Sequence, residues 1–142
     1  MKPFFLFVIL FFLSNQTIAN VCENTIKGVS ICEVSKGVAL AIAKNAPQRV
    51  SQNIVLNGAY SFNNKIIVTS IFSHTKQSFE SHVKSIGAST EAINDGMRLM
   101  TKNSLCSDPR YLPLIEAGII FVYWYKYSDG VTYLEIEVDS CS

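Results

Sequence analysis

The dipeptide Asp129-Gly130 separates two alternating apolar runs, residues 118–127 and 131–139, and Cys106 and Cys141 bracket the whole stretch. Asp-Gly between such runs is the strongest short-range hairpin signal, because the tight turn needs positive φ and Gly supplies it without strain. A two-residue turn there pairs Tyr125 with Leu134, Tyr123 with Ile136 and Phe121 with Val138. These aromatic–aliphatic cross-strand pairs predict one buried face. The opposite face sets Val122, Trp124 and Lys126 against Glu137, Glu135 and Tyr133. Trp124 at its centre is either covered by a helix or lines a groove for a partner. On the second reading Val122, Trp124 and Tyr133 are the partner-binding candidates.

Upstream of the hairpin, Asp108-Pro109 has the form of an N-cap followed by Pro at the first helical position, and Gly118 that of a C-terminal cap. A short helix is expected between them, interrupted by Pro113. Residues 33–46 predict an earlier helix, which Pro47 stops. Residues 53–62 and 65–72 predict a second hairpin turning at Asn63-Asn64, since Asn tolerates positive φ. That register pairs Tyr60 with Ile67 and Leu56 with Ile71, and puts Val55, Ala59, Ile66, Val68 and Phe72 on the other side. Both faces are apolar, so both are expected to be covered. Phe79, Val83 and Ile86, then Ile93, Met97 and Met100, recur at helical spacing on either side of Gly87, which predicts helices packed by those residues, the main one over 90–104. The expected fold class is α+β: an antiparallel sheet of two hairpins, about four strands, flanked by helices in the order α-β-β-α-(short α)-β-β.

Lys2 followed by the apolar run 4–13 and a polar stretch ending in Ala19 reads as a signal peptide, residues 1–19, cut after Ala19. The run is half the roughly 20 residues a membrane span needs. Val21 stands where a lipobox requires Gly, Ala or Ser, which argues against a lipid anchor on Cys22. The remaining residues, 20–142, suffice for one domain with one core. In an exported chain an even set of cysteines is a disulfide framework. Of the three possible pairings, Cys22 with Cys32 and Cys106 with Cys141 are favoured. The first two are close in sequence and the second two bracket the C-terminal hairpin.

Without Lys2 the basic and acidic side chains balance at 11 each. That argues against a nucleic-acid partner, which wants a basic face to neutralise phosphates, and against a polybasic membrane-surface role. There is no nucleophile elbow and no phosphate loop, and no Cys–His set has metal spacing. His74 and His82 lie in a polar stretch and read as solvated. Glu135, Glu137 and Asp139 alternate on one strand, a pattern that more often protects an edge than performs glycoside chemistry. The expectation is a protein that is no enzyme and holds no cofactor or metal.

The stretch L-C-S-D-P-R-Y-L-P-L-I-E-A-G-I-I-F-V-Y, then D-G, alternating apolar residues and D-S-C, resembles the C-terminal half of the β-class type II secretion pilotins, the AspS/GspS-β family. That family shows Cys-x-Asp-Pro, a short helix, Gly-Ile, a hairpin and a closing Cys, and its shared disulfide maps onto Cys106 and Cys141. The resemblance implies a small α+β fold that binds a short helix at the C-terminus of a secretin, or of a related secretion or pilus component. The alternative function is a periplasmic immunity protein or inhibitor that binds a toxin or hydrolase. Either way the chain is expected in the periplasm or secreted, with a protein partner and no integral membrane segment.

Overall fold

The computed structural model describes residues 21–142; the signal peptide expected at 1–19 and its cleavage point lie outside the described residues. The chain is a mixed α+β structure. A 3-10 turn at Val21–Glu23 leads into a miniature hairpin, β1 (Thr25–Ile26) and β2 (Val29–Ser30), and then helix α1 (Ile31–Lys44). Lys27 and Gly28 both take positive φ at the hairpin's turn, the conformation that matches strand twist in a two-residue connection. Ser30 caps α1 by accepting the N–H of Cys32, so the helix begins two residues before the expected start. Cys22 is bonded to Cys32, which ties the turn to the first helical coil.

Three strands follow: β3 (Gln48–Ser51), β4 (Ile54–Phe62) and β5 (Lys65–Phe72). Strand β3 is polar, exposed throughout and pairs only with the first part of β4, so no apolar alternation announces it. Asn63 takes the positive φ of the β4–β5 turn while Asn64 does not. Tyr60 faces Ile67 as the expected register requires, but a bulge between Leu56 and Gly58 pairs Leu56 with Ser70 instead of Ile71. The extra residue turns Leu56 to the helix side, where it packs against the core.

Helices α2 (Lys76–Ser85) and α3 (Thr90–Ser107) are capped by Thr75 and Ser89 and separated by Gly87 at positive φ. The inward side of α3 runs through Met97 and Leu105. Met100 and Ile86 are exposed, contrary to the packing expected of them; the inward line of α3 steps by four residues, from Met97 through Thr101 to Leu105, and Met100 lies to one side of it. Asp108 does not start a helix. Its carboxylate accepts the Arg110 N–H and guanidinium instead, and α4 begins only at Leu112 (Leu112–Glu116). Gly118 ends α4 at positive φ, with the Ile119 N–H reaching back to the Leu114 carbonyl, the bonding of a Schellman cap.

The chain then forms β6 (Ile120–Lys126) and β7 (Thr132–Val138). The sheet order is β3-β4-β5-β6-β7, with β5 and β6 parallel. The two hairpins are thus joined in one mixed five-stranded sheet, where an antiparallel four-stranded one was expected. The physical reason is the crossover: three helices carry the chain back to the end at which β5 started. The β6–β7 register has the three predicted pairs, Tyr125 with Leu134, Tyr123 with Ile136 and Phe121 with Val138. The turn itself holds three residues, Ser128 to Gly130, closed by the Tyr127 N–H on the Val131 carbonyl. A bulge next to Lys126 absorbs the extra residue and restores the register beyond it.

The core lies between the helices and one sheet face. Ile66, Val68, Phe121 and Ile136 meet Ile31 and Ala39 of α1, Leu105 of α3 and Ile115 of α4. Cys106, at the end of α3, is bonded to Cys141 beyond β7, and both sulfurs' residues pack on this core.

Candidate functional site: the aromatic trough on the open sheet face

Strand alternation decides what the second sheet face carries. Because Phe121, Tyr123 and Tyr125 point to the helices, Val122 and Trp124 point away. The parallel register sets Ile67 beside Val122 and Thr69 beside Trp124, and the β4–β5 register adds Tyr60 beside Ile67 and Phe62 beside Lys65. The result is a trough of about 290 Å³ lined by Tyr60, Phe62, Lys65, Ile67, Val122, Trp124, Glu135 and Glu137. Every one of these is a strand residue, so among the described residues no helix covers this part of the face, where cover on both sides was expected.

The trough has an apolar floor and mixed walls. Ile67 and Val122 are 6% and 3% exposed, while Tyr60 and Phe62 on the wall are 48% and 67% exposed. Trp124 packs its ring edge-to-face with Tyr60, centroids 6.1 Å apart, an arrangement the ring quadrupoles favour. Its indole N–H is buried and has no hydrogen-bond partner among the described residues. On the rim, Lys65 Nζ donates to Glu137 at 2.8 Å. Glu135, opposite Trp124 on β7, is exposed and leaves the rim acidic on that side.

Of the three candidate binding residues, the structure brings Val122 and Trp124 together and places Tyr133 elsewhere. The bulge beside Lys126 turns Tyr133 to the helix side. There it joins Phe72, Phe79 and Tyr127 in an aromatic cluster, and its hydroxyl donates to Asn94 of α3. Burial raises its phenol pKa, and it lifts that of Tyr127 to about 12, with Tyr133, Glu80 and Asp129 adding to the shift. Tyr123 is raised further still, chiefly by burial. These tyrosines are structural phenols held neutral.

Tyr60, Phe62, Lys65 and Ile67 complete the trough and were missing from the sequence-derived site. Their apolar alternation was visible, but only the parallel pairing of β5 with β6 places them beside Trp124. A second hollow of about 460 Å³ lies on the helix side and is lined by Asn53, Phe72, His74, Ser78, Phe79 and His82; both histidines are exposed. Among the described residues no group of three or more His, Cys, Asp or Glu is placed to hold a metal, and no helix is long and apolar enough to cross a membrane. The trough's chemistry is that of contact: aromatic walls, an aliphatic floor and a charged rim.

No protein-family model matches the chain, and no curated protein sequence does. Solved structures do. A Pseudomonas aeruginosa protein described as secreted is 19% identical over 79% of this chain and 93% of its own, with a TM-score of 0.63. The pilotin EpsS of the Vibrio vulnificus type 2 secretion system is 13% identical over 79% of this chain and 92% of its own, with a TM-score of 0.62. The type II secretion system pilotin AspS of Vibrio cholerae is 11% identical, over 76% and 87%, with a TM-score of 0.56. The chain shares its fold with these pilotins.

Proposed function

We propose that this chain is an exported, non-enzymatic binding protein of pilotin type. Its signal peptide is removed after Ala19, and a single disulfide-bonded domain from Asn20 works in the periplasm or outside the cell. Its partner is a short amphipathic helix of a secretin or of a related secretion or pilus component. The observation that carries this reading is the shared fold with two type II secretion pilotins, and the C-S-D-P-R to D-S-C resemblance is consistent with it.

The trough supplies a place for such a helix. A helix laid on a sheet face presents anchors at i, i+3 or i+4 and i+7. Tyr60, Phe62 and Trp124 offer aromatic walls for those anchors over the floor of Ile67 and Val122. The acidic Glu135 favours a basic residue flanking the partner's apolar stripe.

The test is titration calorimetry of the purified protein with a synthetic peptide of the C-terminal helix of the secretin encoded in the same genome. Saturable one-to-one binding that Trp124→Ala weakens supports the reading. No heat at any accessible concentration, with a neighbouring toxin or hydrolase inhibited instead, replaces it by the immunity-protein alternative.

A further inference from the structure

The sheet ends in edges, and two of them carry features that discourage pairing with another chain. Strand β7 has its Glu135 carbonyl taken by Arg98 of α3 at 3.1 Å and bears Glu135 and Glu137. Strand β3 is four residues long, carries Arg49 and follows Pro47. Short strands, charges, Pro and covering side chains are the usual means of blunting an edge. Strand β3, however, pairs only with Ile54, Val55 and Leu56 of β4. Among the described residues, 58–62 of β4 are therefore an edge too, and they read Gly-Ala-Tyr-Ser-Phe, with no charge and no proline.

Two observations show that this edge is open. A notch of about 240 Å³ is lined by three consecutive strand residues, Ala59, Tyr60 and Ser61, together with Lys36, Ala39 and Leu40 of α1. Successive strand residues point to opposite faces, so a hollow touching all three lies along the backbone edge itself. Leu40 and Tyr60, which line it, are exposed, as is Phe62 at the end of the strand.

We propose that a second copy of this chain pairs here, β4 against β4, antiparallel across a twofold axis at Tyr60. The backbone fits this register. The two-residue turn is closed by the pair Phe62–Lys65, so Phe62, Tyr60 and Gly58 turn their N–H and C=O toward β5, while Ala59 and Ser61 turn theirs outward. With Tyr60 opposite Tyr60 of the second copy, Ala59 meets Ser61 of the second copy and the outward groups exchange bonds. The side chains fit as well. Phe62 falls opposite Gly58, where an added Cβ would have nothing within 4 Å, so each ring covers the other copy's glycine. No like charges meet along the strand. The proposal does not rest on the trough's partner; it makes one sheet of two copies and sets their troughs side by side.

A contact confined to one short strand stretch, residues 58–62 of each copy, is small and therefore weak, so sedimentation velocity from micromolar to millimolar protein, both disulfides intact, is the measurement. A monomer–dimer equilibrium is expected, and Ser61→Pro should leave monomer throughout with an unchanged melt, since proline is tolerated where the N–H faces off the sheet. A second readout covers the case in which that variant does not fold. Tyr60→Cys sits at a non-hydrogen-bonded pair whose Cα atoms are about 4.5 Å apart, within disulfide reach, and should oxidise to a covalent dimer. Phe62→Cys, facing Gly58, should not. A protein monomeric at millimolar concentration, a dimer indifferent to Ser61→Pro, or cross-linking equally efficient at both cysteines overturns the proposal.

Discussion

Trp124→Ala separates a binding residue from a core residue, and its neighbour in the same strand supplies the scale. Phe121 is fully buried on the helix side, and Phe121→Ala should cost about 3–5 kcal/mol, as truncation of a buried aromatic does. Trp124 is half-buried on the open face. Its loss removes part of the indole's burial and the edge contact with Tyr60, itself worth about 0.5–1.5 kcal/mol, so a stability loss of about 1–2 kcal/mol is expected. At about 4 °C per kcal/mol for a chain near this size, the melts should fall by about 4–8 °C and about 12–20 °C respectively. Partner affinity should rank the other way. A central aromatic anchor contributes about 2 kcal/mol or more when truncated, roughly thirtyfold in Kd. Circular-dichroism melts and peptide calorimetry on the same preparations read both quantities. Trp124→Phe keeps most of the apolar area and gives up an N–H that has no partner among the described residues, so its melt should match the parent. The reasoning is refuted if Trp124→Ala melts as low as Phe121→Ala and binds the peptide as tightly as the parent.

The two disulfides should differ in worth. Chain-entropy reasoning for sequence separations of 35 and 10 gives about 3–4 kcal/mol for Cys106–Cys141 and about 2–3 kcal/mol for Cys22–Cys32; urea unfolding of the paired Cys→Ser variants should reproduce that order, and the reverse order would sink it. Asp108 is held at about 2 by its hydrogen bonds from Arg110. The clamp is therefore intact above the ordinary carboxylate range of about 4 and is lost as pH falls through about 2; an NMR titration of the Asp108 carboxyl that midpoints near 4 would contradict this. For Tyr127, raised to about 12 mainly by burial, the sign runs oppositely: its stabilisation is complete below about 10 and disappears as pH climbs through 12. Tyr127→Phe should shift the alkaline unfolding midpoint upward, and no shift would show the phenol is not the titrating group. Asn64→Ala removes the side-chain bond to the Gly118 carbonyl at 2.7 Å and should cost about 1 kcal/mol while weakening peptide binding too, because it loosens the junction that aligns β5 with β6; unaltered binding would count against that coupling.

What could be read from the sequence was local. The α+β class, the β6–β7 pairs and the turn at Asp129-Gly130 follow from period-2 alternation and turn chemistry over a dozen residues. The register survived an error in the turn because the three-residue loop and the adjacent bulge offset each other. Bulges elsewhere were not legible: nothing about Asn57 or Tyr133 in the sequence marks an extra residue, yet one sends Leu56 and the other sends Tyr133 to the helix side. The polar β3 gave no signal, and neither did the parallel β5–β6 pair, since a crossover of some 50 residues leaves no periodicity in the strands it connects. For the site, Val122 and Trp124 were legible from alternation alone, whereas Tyr60, Phe62 and Ile67 were legible as strand residues only.

The trough is consequently a property of the crossover rather than of either hairpin. Taken alone, the β4–β5 hairpin has Tyr60 and Ile67 on an apolar face with no tryptophan, and the β6–β7 hairpin has Trp124 among acids. The parallel register brings Ile67 beside Val122 and so joins two half-apolar strips into one floor. That register is set where the hairpins first meet. Asn64, in the β4–β5 turn, gives its side-chain N–H to the Gly118 carbonyl and accepts the Ile120 N–H on its own carbonyl, so the turn of one hairpin fixes the start of the other. Gly118 belongs to the same junction: its positive φ ends α4 and delivers Ile120 to Asn64. The two bulges then remove Leu56 and Tyr133 from the open face, which limits it to one narrow aromatic strip with an acidic rim. A face so limited suits a single slender element laid along it better than a broad flat partner, and this is the geometric reason to expect one helix there.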